Sequence, residues 1–161
     1  MTGFAGILVP DDLLEAVSDR AWLAALLEAE RALANAEAIA GTIPAHAAAA
    51  IADRCRPELF DPVRLAAAGR ASANPVEPLV RELAEAVGGE AAAFVHWGAT
   101  SQDIMDSAAM LVSRRALAIV RGSIDAVTGR CAELAGEHRS TPMAARTLLQ
   151  QAVPTTFGLK C

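Results

Sequence analysis

The chain has 161 residues, 53% of them apolar but only 4% aromatic, with no tyrosine and a formal net charge of −5. This length suits one domain with room for part of a second. With no basic stripe and no aromatic–basic interleaving, nucleic-acid binding is excluded, and no apolar stretch is long and uncharged enough to cross a membrane.

Much of the apolar fraction is alanine, the best helix former and a residue that lets helices pack closely. Alternating runs of the kind that mark strands are absent. The expected fold class is therefore all-α. Residues 1 to 10 read as an arm loosened by Gly3 and Gly6, and Pro10-Asp11-Asp12 starts a short helix. Ser18 is placed to cap a long helix that runs to about Ala40 and stops at Gly41. Trp22, Leu26, Ala29, Leu33, Ala36 and Ala40 follow steps of four and three, which predicts one buried stripe. Arg20, Glu28, Arg31 and Glu37 fall off that stripe.

Thr42 and Pro44 start a second helix ending near Pro57, with a solvated His46 at its head. Asp61-Pro62 opens a short third helix toward Gly69. Asn74-Pro75 is an N-cap and first-position pair, and Val76, Leu79, Val80, Leu83 and Val87 mark the buried face of the helix it starts, which Gly88-Gly89 ends. From Gln102 to about His138 no proline interrupts the pattern, so one very long helix is expected. Ile104, Leu111 and Ala118 repeat at seven, as do Met105, Val112, Ile119 and Ala126, which suits an antiparallel bundle. Gly122, Gly129 and Gly136 share that spacing, and an interior glycine costs about 1 kcal/mol against alanine. Either a neighbouring helix passes very close there, or the helix frays. Arg139 to Ala145 reads as a loop turning at Thr141-Pro142, and Pro154 as the start of a further helix.

The segment His96-Trp97-Gly98-Ala99-Thr100-Ser101-Gln102-Asp103 interrupts the helical pattern with a polar turn and then opens the long helix. Thr100 and Ser101 are capping residues, and Asp103 lies three positions after Thr100, as in a capping box. A helix N-terminus also carries unpaired N–H groups and the positive end of the helix dipole, which favour a carboxylate or phosphate. Capping and anion binding are both open for this string.

The same string closely resembles the first signature region of the fumarase/aspartase superfamily, which includes adenylosuccinate and argininosuccinate lyases. A second region, Ala145-Arg146-Thr147-Leu148-Leu149-Gln150-Gln151-Ala152-Val153-Pro154-Thr155-Thr156-Phe157-Gly158, resembles the superfamily's Gly-Arg-Thr-His region and its Pro-x-Thr-x-Gly tail. Ala145 replaces the glycine, and Leu148 stands where many members have the histidine. In that respect the chain resembles the branch of bacterial 3-carboxy-cis,cis-muconate cycloisomerases, as do Ser18-Asp19-Arg20 and Asn74 to Val80. The resemblance implies a small helical N-terminal domain over residues 1–97. Residues 98–161 would be the start of a long-helix domain, four copies of which build a central bundle in a homotetramer. A mobile serine loop that carries the superfamily's proton-moving serine has no counterpart in these residues. The chain is therefore expected to be the N-terminal portion of such an enzyme and inactive alone.

The reactions of the superfamily take place at a carbon beside a carboxylate, and stabilising the extra negative charge needs preorganised donors. By resemblance the candidate catalytic residues are His96, Thr100 and Ser101. The candidate substrate-binding residues are Ser72, Asn74, Thr100, Ser101, Gln102, Arg146, Thr147 and Gln150. His96 either donates to the substrate and balances charge, or ties the loop to a helix end. Arg146 either grips a carboxylate in a fork or ties its loop to Asp103 or a backbone carbonyl. Ser72 and Asn74 lie where adenylosuccinate lyases carry an Arg-His-Asp group that contacts the nucleotide, and the missing charged pair speaks against a phosphorylated purine. For Asn74 a plain helix cap is the alternative.

The expected substrate is a small polycarboxylate, specifically 3-carboxymuconate closing to a lactone. No metal or organic cofactor is expected, since no ligand cluster and no phosphate-cradling glycine loop is present. Cys55, Cys131 and Cys161 form no metal spacing and no disulfide framework, and no secretory leader pattern opens the chain, so a cytoplasmic location is expected. Two other functions stay open: another lyase of the superfamily, such as an adenylosuccinate lyase, or a helical interaction domain without catalysis.

Overall fold

A computed structural model describes residues 5–161, so the first four residues of the expected arm lie outside the description. The chain forms two compact units, Met1–Ala116 and Leu117–Cys161. In the first, Ala5–Leu8 (α1) is one helical turn rather than loose arm. Asp11–Ala16 (α2) follows Pro10, and Ser18 accepts from the Ala21 N–H to cap Asp19–Ile39 (α3). Ala45–Arg54 (α4) starts after Pro44. Asp61 accepts from the Val63 N–H and caps Pro62–Gly69 (α5). Val76–Val87 (α6) follows an Asn74 side chain that accepts from the Val76 N–H at 2.8 Å, and it ends at Gly88, φ +65. Short 3₁₀ turns at Pro57–Leu59 and Glu90–Phe94 complete the connections.

The core of this unit draws Leu23, Leu26, Leu27 and Ala34 from α3 and Ile51 from α4. Phe60, Leu65, Val76, Leu79 and Leu83 add to it from α5, α6 and the segment before them. Buried alanines such as Ala25 and Ala47 let the helices approach closely. Each large side chain taken out of water contributes roughly 1.5–3 kcal/mol. The buried stripe of α3 differs from the expected one. Trp22 is 38% exposed and Ala36 and Ala40 face water, while Leu23, Leu27, Glu30 and Ala34 are inside. Leu26 and Ala29 of the expected stripe are buried and Leu33 packs against the core, so the buried face is the expected one turned toward Leu23, Leu27 and Ala34, and it contains a carboxylate.

Ser101–Glu137 is one continuous helix of 37 residues (α7), as its uninterrupted pattern predicts. Ile104, Ala108 and Val112, four apart, complete the core of the first unit. Beyond Val112 no residue of α7 is buried, and Leu117, Ile124 and Val127 are exposed. A Cβ added at Gly122, Gly129 or Gly136 would meet nothing within 4 Å. The helix does not fray at these glycines, and none of them is covered by another part of the described chain.

The second unit departs from the all-helical pattern at its end. Pro142–Met143 (β1) pairs antiparallel with Thr155–Thr156 (β4), and Arg146–Thr147 (β2) pairs with Gln150–Gln151 (β3) inside it. These two-residue strands are too short to leave an alternating signature. The expected helix at Pro154 begins instead at Phe157: Thr156 stays extended and its hydroxyl accepts from the Leu159 N–H to cap Phe157–Lys160 (α8). Gly158 lies against the end of α7, where an added Cβ would sit 2.6 Å from the Ala135 carbonyl oxygen and 2.8 Å from that of His138. The mainly helical architecture stands, with these hairpins as its small exception.

Candidate functional site

The polar turn expected before α7 is built as its residue types require. Thr100 is the N-cap, and its hydroxyl accepts from the Gln102 N–H at 3.2 Å. Asp103 reaches back, its Oδ2 accepting from the Thr100 N–H at 2.9 Å. The return bond from Asp103 is the carboxylate half of a capping box, while the Thr100 hydroxyl caps the N–H of Gln102, one residue earlier than in the full motif. Gln102 donates its side-chain amide to Asp106 Oδ1 at 2.6 Å. A carboxylate of the chain thus already lies at the helix terminus. The donors left for a ligand include the hydroxyl protons of Thr100, which is exposed, and Ser101, which is half-buried.

His96 stands at the other end of the turn with φ +59, a left-handed backbone that is uncommon for a residue with a side chain. Its Nδ1 lies 2.6 Å from Oε1 of Glu30, and the two side chains are 15% and 1% exposed. The hydrogen bond to Glu30 holds the imidazole above its ordinary pKa, with the charges of Glu30, Asp103 and Glu37 adding to it. Glu37 lies seven residues after Glu30, on the same face of α3. Burial and then the charge of Glu30 push its carboxyl above the usual range, while His96 partly offsets this. One oxygen of each glutamate, Oε2, is buried without a hydrogen-bond partner. Cys55, at the end of α4, is pushed up to about 12 by burial and then by Glu30.

Sequence reasoning missed Glu30. Its signal was the spacing Leu23, Leu27, Glu30, Ala34, a helix stripe as regular as the one preferred but broken by a charge. Glu30 pairs with a histidine 66 residues away, and no local pattern reports such a partner.

The other expected site residues fall into two groups. Ser72 and Asn74 are in the turn between α5 and α6, where the Ser72 hydroxyl lies 3.3 Å from the Asn74 carbonyl oxygen. The Asn74 side chain is engaged by the Val76 N–H. Pro75 and Gln102 line one cavity of about 410 Å³ together with Trp22, Leu26, Leu65 and Met105, so the 72–75 turn and the start of α7 border a shared space. Arg146, Thr147 and Gln150 lie in the second unit, on the hairpin of β2 and β3, and all three are exposed. They line a depression of about 350 Å³ there. Leu148 and Leu149 form the tip of that hairpin, 85% and 99% exposed. Among the described residues, no three His, Cys, Asp or Glu side chains converge as metal ligands would. No described helix is long and apolar enough to cross a membrane.

Comparison with known proteins follows the same lines. A family model described as "Lyase" matches residues 9–161. Nitrosuccinate lyase of Streptomyces davaonensis is 55% identical over 148 residues, covering 90% of this chain and 31% of that protein. The 3-carboxy-cis,cis-muconate cycloisomerase of Pseudomonas aeruginosa is 46% identical over 146 residues, covering 89% of this chain and 32% of that one. The crystal structure of 3-carboxy-cis,cis-muconate lactonizing enzyme from Pseudomonas putida superposes with a TM-score of 0.94 at 38% identity, over 99% of this chain and 37% of that one. The chain spans about a third of the length of the relatives it matches. With its capped turn, its long α7 and this match over nearly every residue, the chain belongs to the lyase family of the fumarase/aspartase superfamily.

Proposed function

We propose that the whole protein is an elimination lyase that removes a small anionic leaving group from a succinate-type dicarboxylate, with nitrosuccinate as the substrate. The observation that carries this reading is the 55% identity with nitrosuccinate lyase, against 46% with a cycloisomerase over nearly the same span. In this reaction a base takes a proton from the carbon beside one carboxylate. The electron pair of that C–H bond forms the carbon–carbon double bond, the neighbouring C–N bond breaks, and nitrite leaves with the bonding pair. The charge that builds up spreads onto the adjacent carboxylate, so donors placed there do most for the rate.

Thr100 and Ser101 are assigned to that carboxylate through their hydroxyl protons, with Gln102 beside them. By the family resemblance alone, Arg146, Thr147 and Gln150 of the second unit are assigned to carboxylate binding, for which a guanidinium fork is suited. Ser72 and Asn74 are assigned to the rim of the site. His96, tied through Nδ1 to Glu30, is assigned to charge balance and positioning rather than to proton transfer. The base belongs to the superfamily's serine loop, which these 161 residues do not contain. The chemistry calls for no metal or organic cofactor. A homotetramer in the cytoplasm, as in the family resemblance, is the expected working form.

Lactonisation of 3-carboxymuconate is the second reading. It is favoured by the TM-score of 0.94 with the lactonizing enzyme and by Leu148, an apolar residue that cannot carry a proton. The two separate in one assay of the whole protein: nitrite appearing from nitrosuccinate, against loss of diene absorbance from 3-carboxymuconate. Nitrite release with no lactonisation is expected. Lactonisation with no nitrite release would replace the first reading by the second.

A further inference from the structure

The carboxylate of Glu30 has no part in the chemistry above, and its burial is costly. It sits in the middle of α3 between Leu27 and Ala34, 1% exposed, with only one of its oxygens engaged. Replacing a buried ion pair by apolar side chains of similar volume is often neutral or stabilising. Packing alone therefore does not account for a glutamate here. Its partner is equally unusual. His96 holds φ +59, a left-handed backbone that is strained for a residue with a Cβ. Such backbones persist where the surroundings over-determine them.

Both features have one consequence. Four residues after His96, Thr100 caps α7. Two turns along α3 from Glu30, Glu37 lies beneath Gly98, its Oε1 3.9 Å from where a Cβ on that glycine would be. The turn is thus pinned to α3 at His96 and lies near Glu37 of α3 at Gly98. We propose that Glu30 is a positioning residue of the active site: through His96 it holds the 96–100 turn in the conformation that sets Thr100 and Ser101 at the head of α7. This rests on the reading that the start of α7 receives a substrate carboxylate. The charged groups facing the imidazole are Glu30 and Glu37 from α3 and Asp103 from α7. Cys55 and Arg31 flank Glu30, and the thiol of Cys55, at about 12, stays neutral through the working range.

Two variants test this. Glu30→Gln keeps an acceptor for the His96 Nδ1–H but removes the charge, and Glu30→Leu removes both. In the 161-residue chain, amide exchange and the NMR titration of His96 are followed. In Glu30→Leu the Thr100 and Gln102 amides should exchange faster while those of Leu79 and Leu83 in α6 stay protected. In Glu30→Gln these amides should stay protected while the His96 midpoint falls. In the whole protein, misplacing the reacting groups commonly costs about 10²-fold in rate. Glu30→Leu should show that loss in kcat, and Glu30→Gln should recover most of it, with its alkaline limb moved to lower pH.

Unchanged exchange at Thr100 and Gln102 in Glu30→Leu overturns the proposal. Should that variant fail to fold, an unchanged His96 midpoint in Glu30→Gln overturns it. The exchange and titration need no substrate, so they decide the positioning role even if the wild-type protein turns over neither substrate, an outcome that would sink only the functional reading.

Discussion

The imidazole of His96 binds its proton more tightly in the folded chain than in the unfolded one, because Glu30 lies 2.6 Å from its Nδ1. Glu37 also holds its proton more tightly when folded, chiefly through burial. For both groups the folded pKa lies above the unfolded one. The stability each contributes is therefore complete below its unfolded pKa and is lost as pH rises through the folded value. For Glu37 the loss begins above the ordinary carboxylate range, and for His96 above about pH 6.5. Urea midpoints of the 161-residue chain should fall as pH rises above the ordinary carboxylate range and again above the ordinary imidazole range. In His96→Gln the part of that fall above the ordinary imidazole range should disappear. A midpoint that rises with pH over these ranges would contradict the assignment of His96 and Glu37 as proton-retaining groups.

Among the elements, α3, α5, α6 and α7 were legible because their boundaries are written in local chemistry. Ser18, Asp61, Asn74 and Thr100 each accept an N–H at a helix start, and Gly88 ends α6 with a positive φ. The bond that Asp103 returns to the Thr100 N–H was readable from a spacing of three. What was not legible depends on contacts distant in sequence or on segments too short to carry a period. The inward face of α3 is chosen by its packing against α4, distant in sequence, and the site partner of His96 is set by that choice. The hairpins of β1–β4 and the late start of α8 depend on the approach of Gly158 to the end of α7. Gly158→Ala should therefore undock α8 and speed exchange of the Gly158 and Phe157 amide positions, which bond to the His138 and Thr141 carbonyl oxygens. Preserved protection there would show that the segment yields without loss. On α7, Gly122 has open space around it, so Gly122→Ala in the isolated chain should stabilise the helix by about 1 kcal/mol. Slower amide exchange on either side of the position would register it. A destabilised helix would mean that a neighbour covers this glycine in solution.

For the molecule as a whole, the exposed apolar residues of α7 carry the question of assembly. Met110, Leu117, Ile124 and Val127 are each more than half exposed on one helix, and contiguous apolar surface of this kind marks an association face. Sedimentation of the chain should show dimers or tetramers at high micromolar concentration, and a clean monomer would speak against a bundle-forming α7. The family assignment rests on the match over residues 9–161, the proposed substrate on the identity with nitrosuccinate lyase, and the proposed site on the start of α7. The most direct measurement of that site is the kinetics of Ser101→Ala in the whole protein, on whichever of the two substrates it turns over. Losing one donor aimed at developing charge commonly costs roughly 10² to 10³ in rate. The account predicts a fall of that size in kcat/KM with an unchanged thermal melt. Unchanged kcat/KM would leave the start of α7 as a capped helix end and contradict its place in the active site.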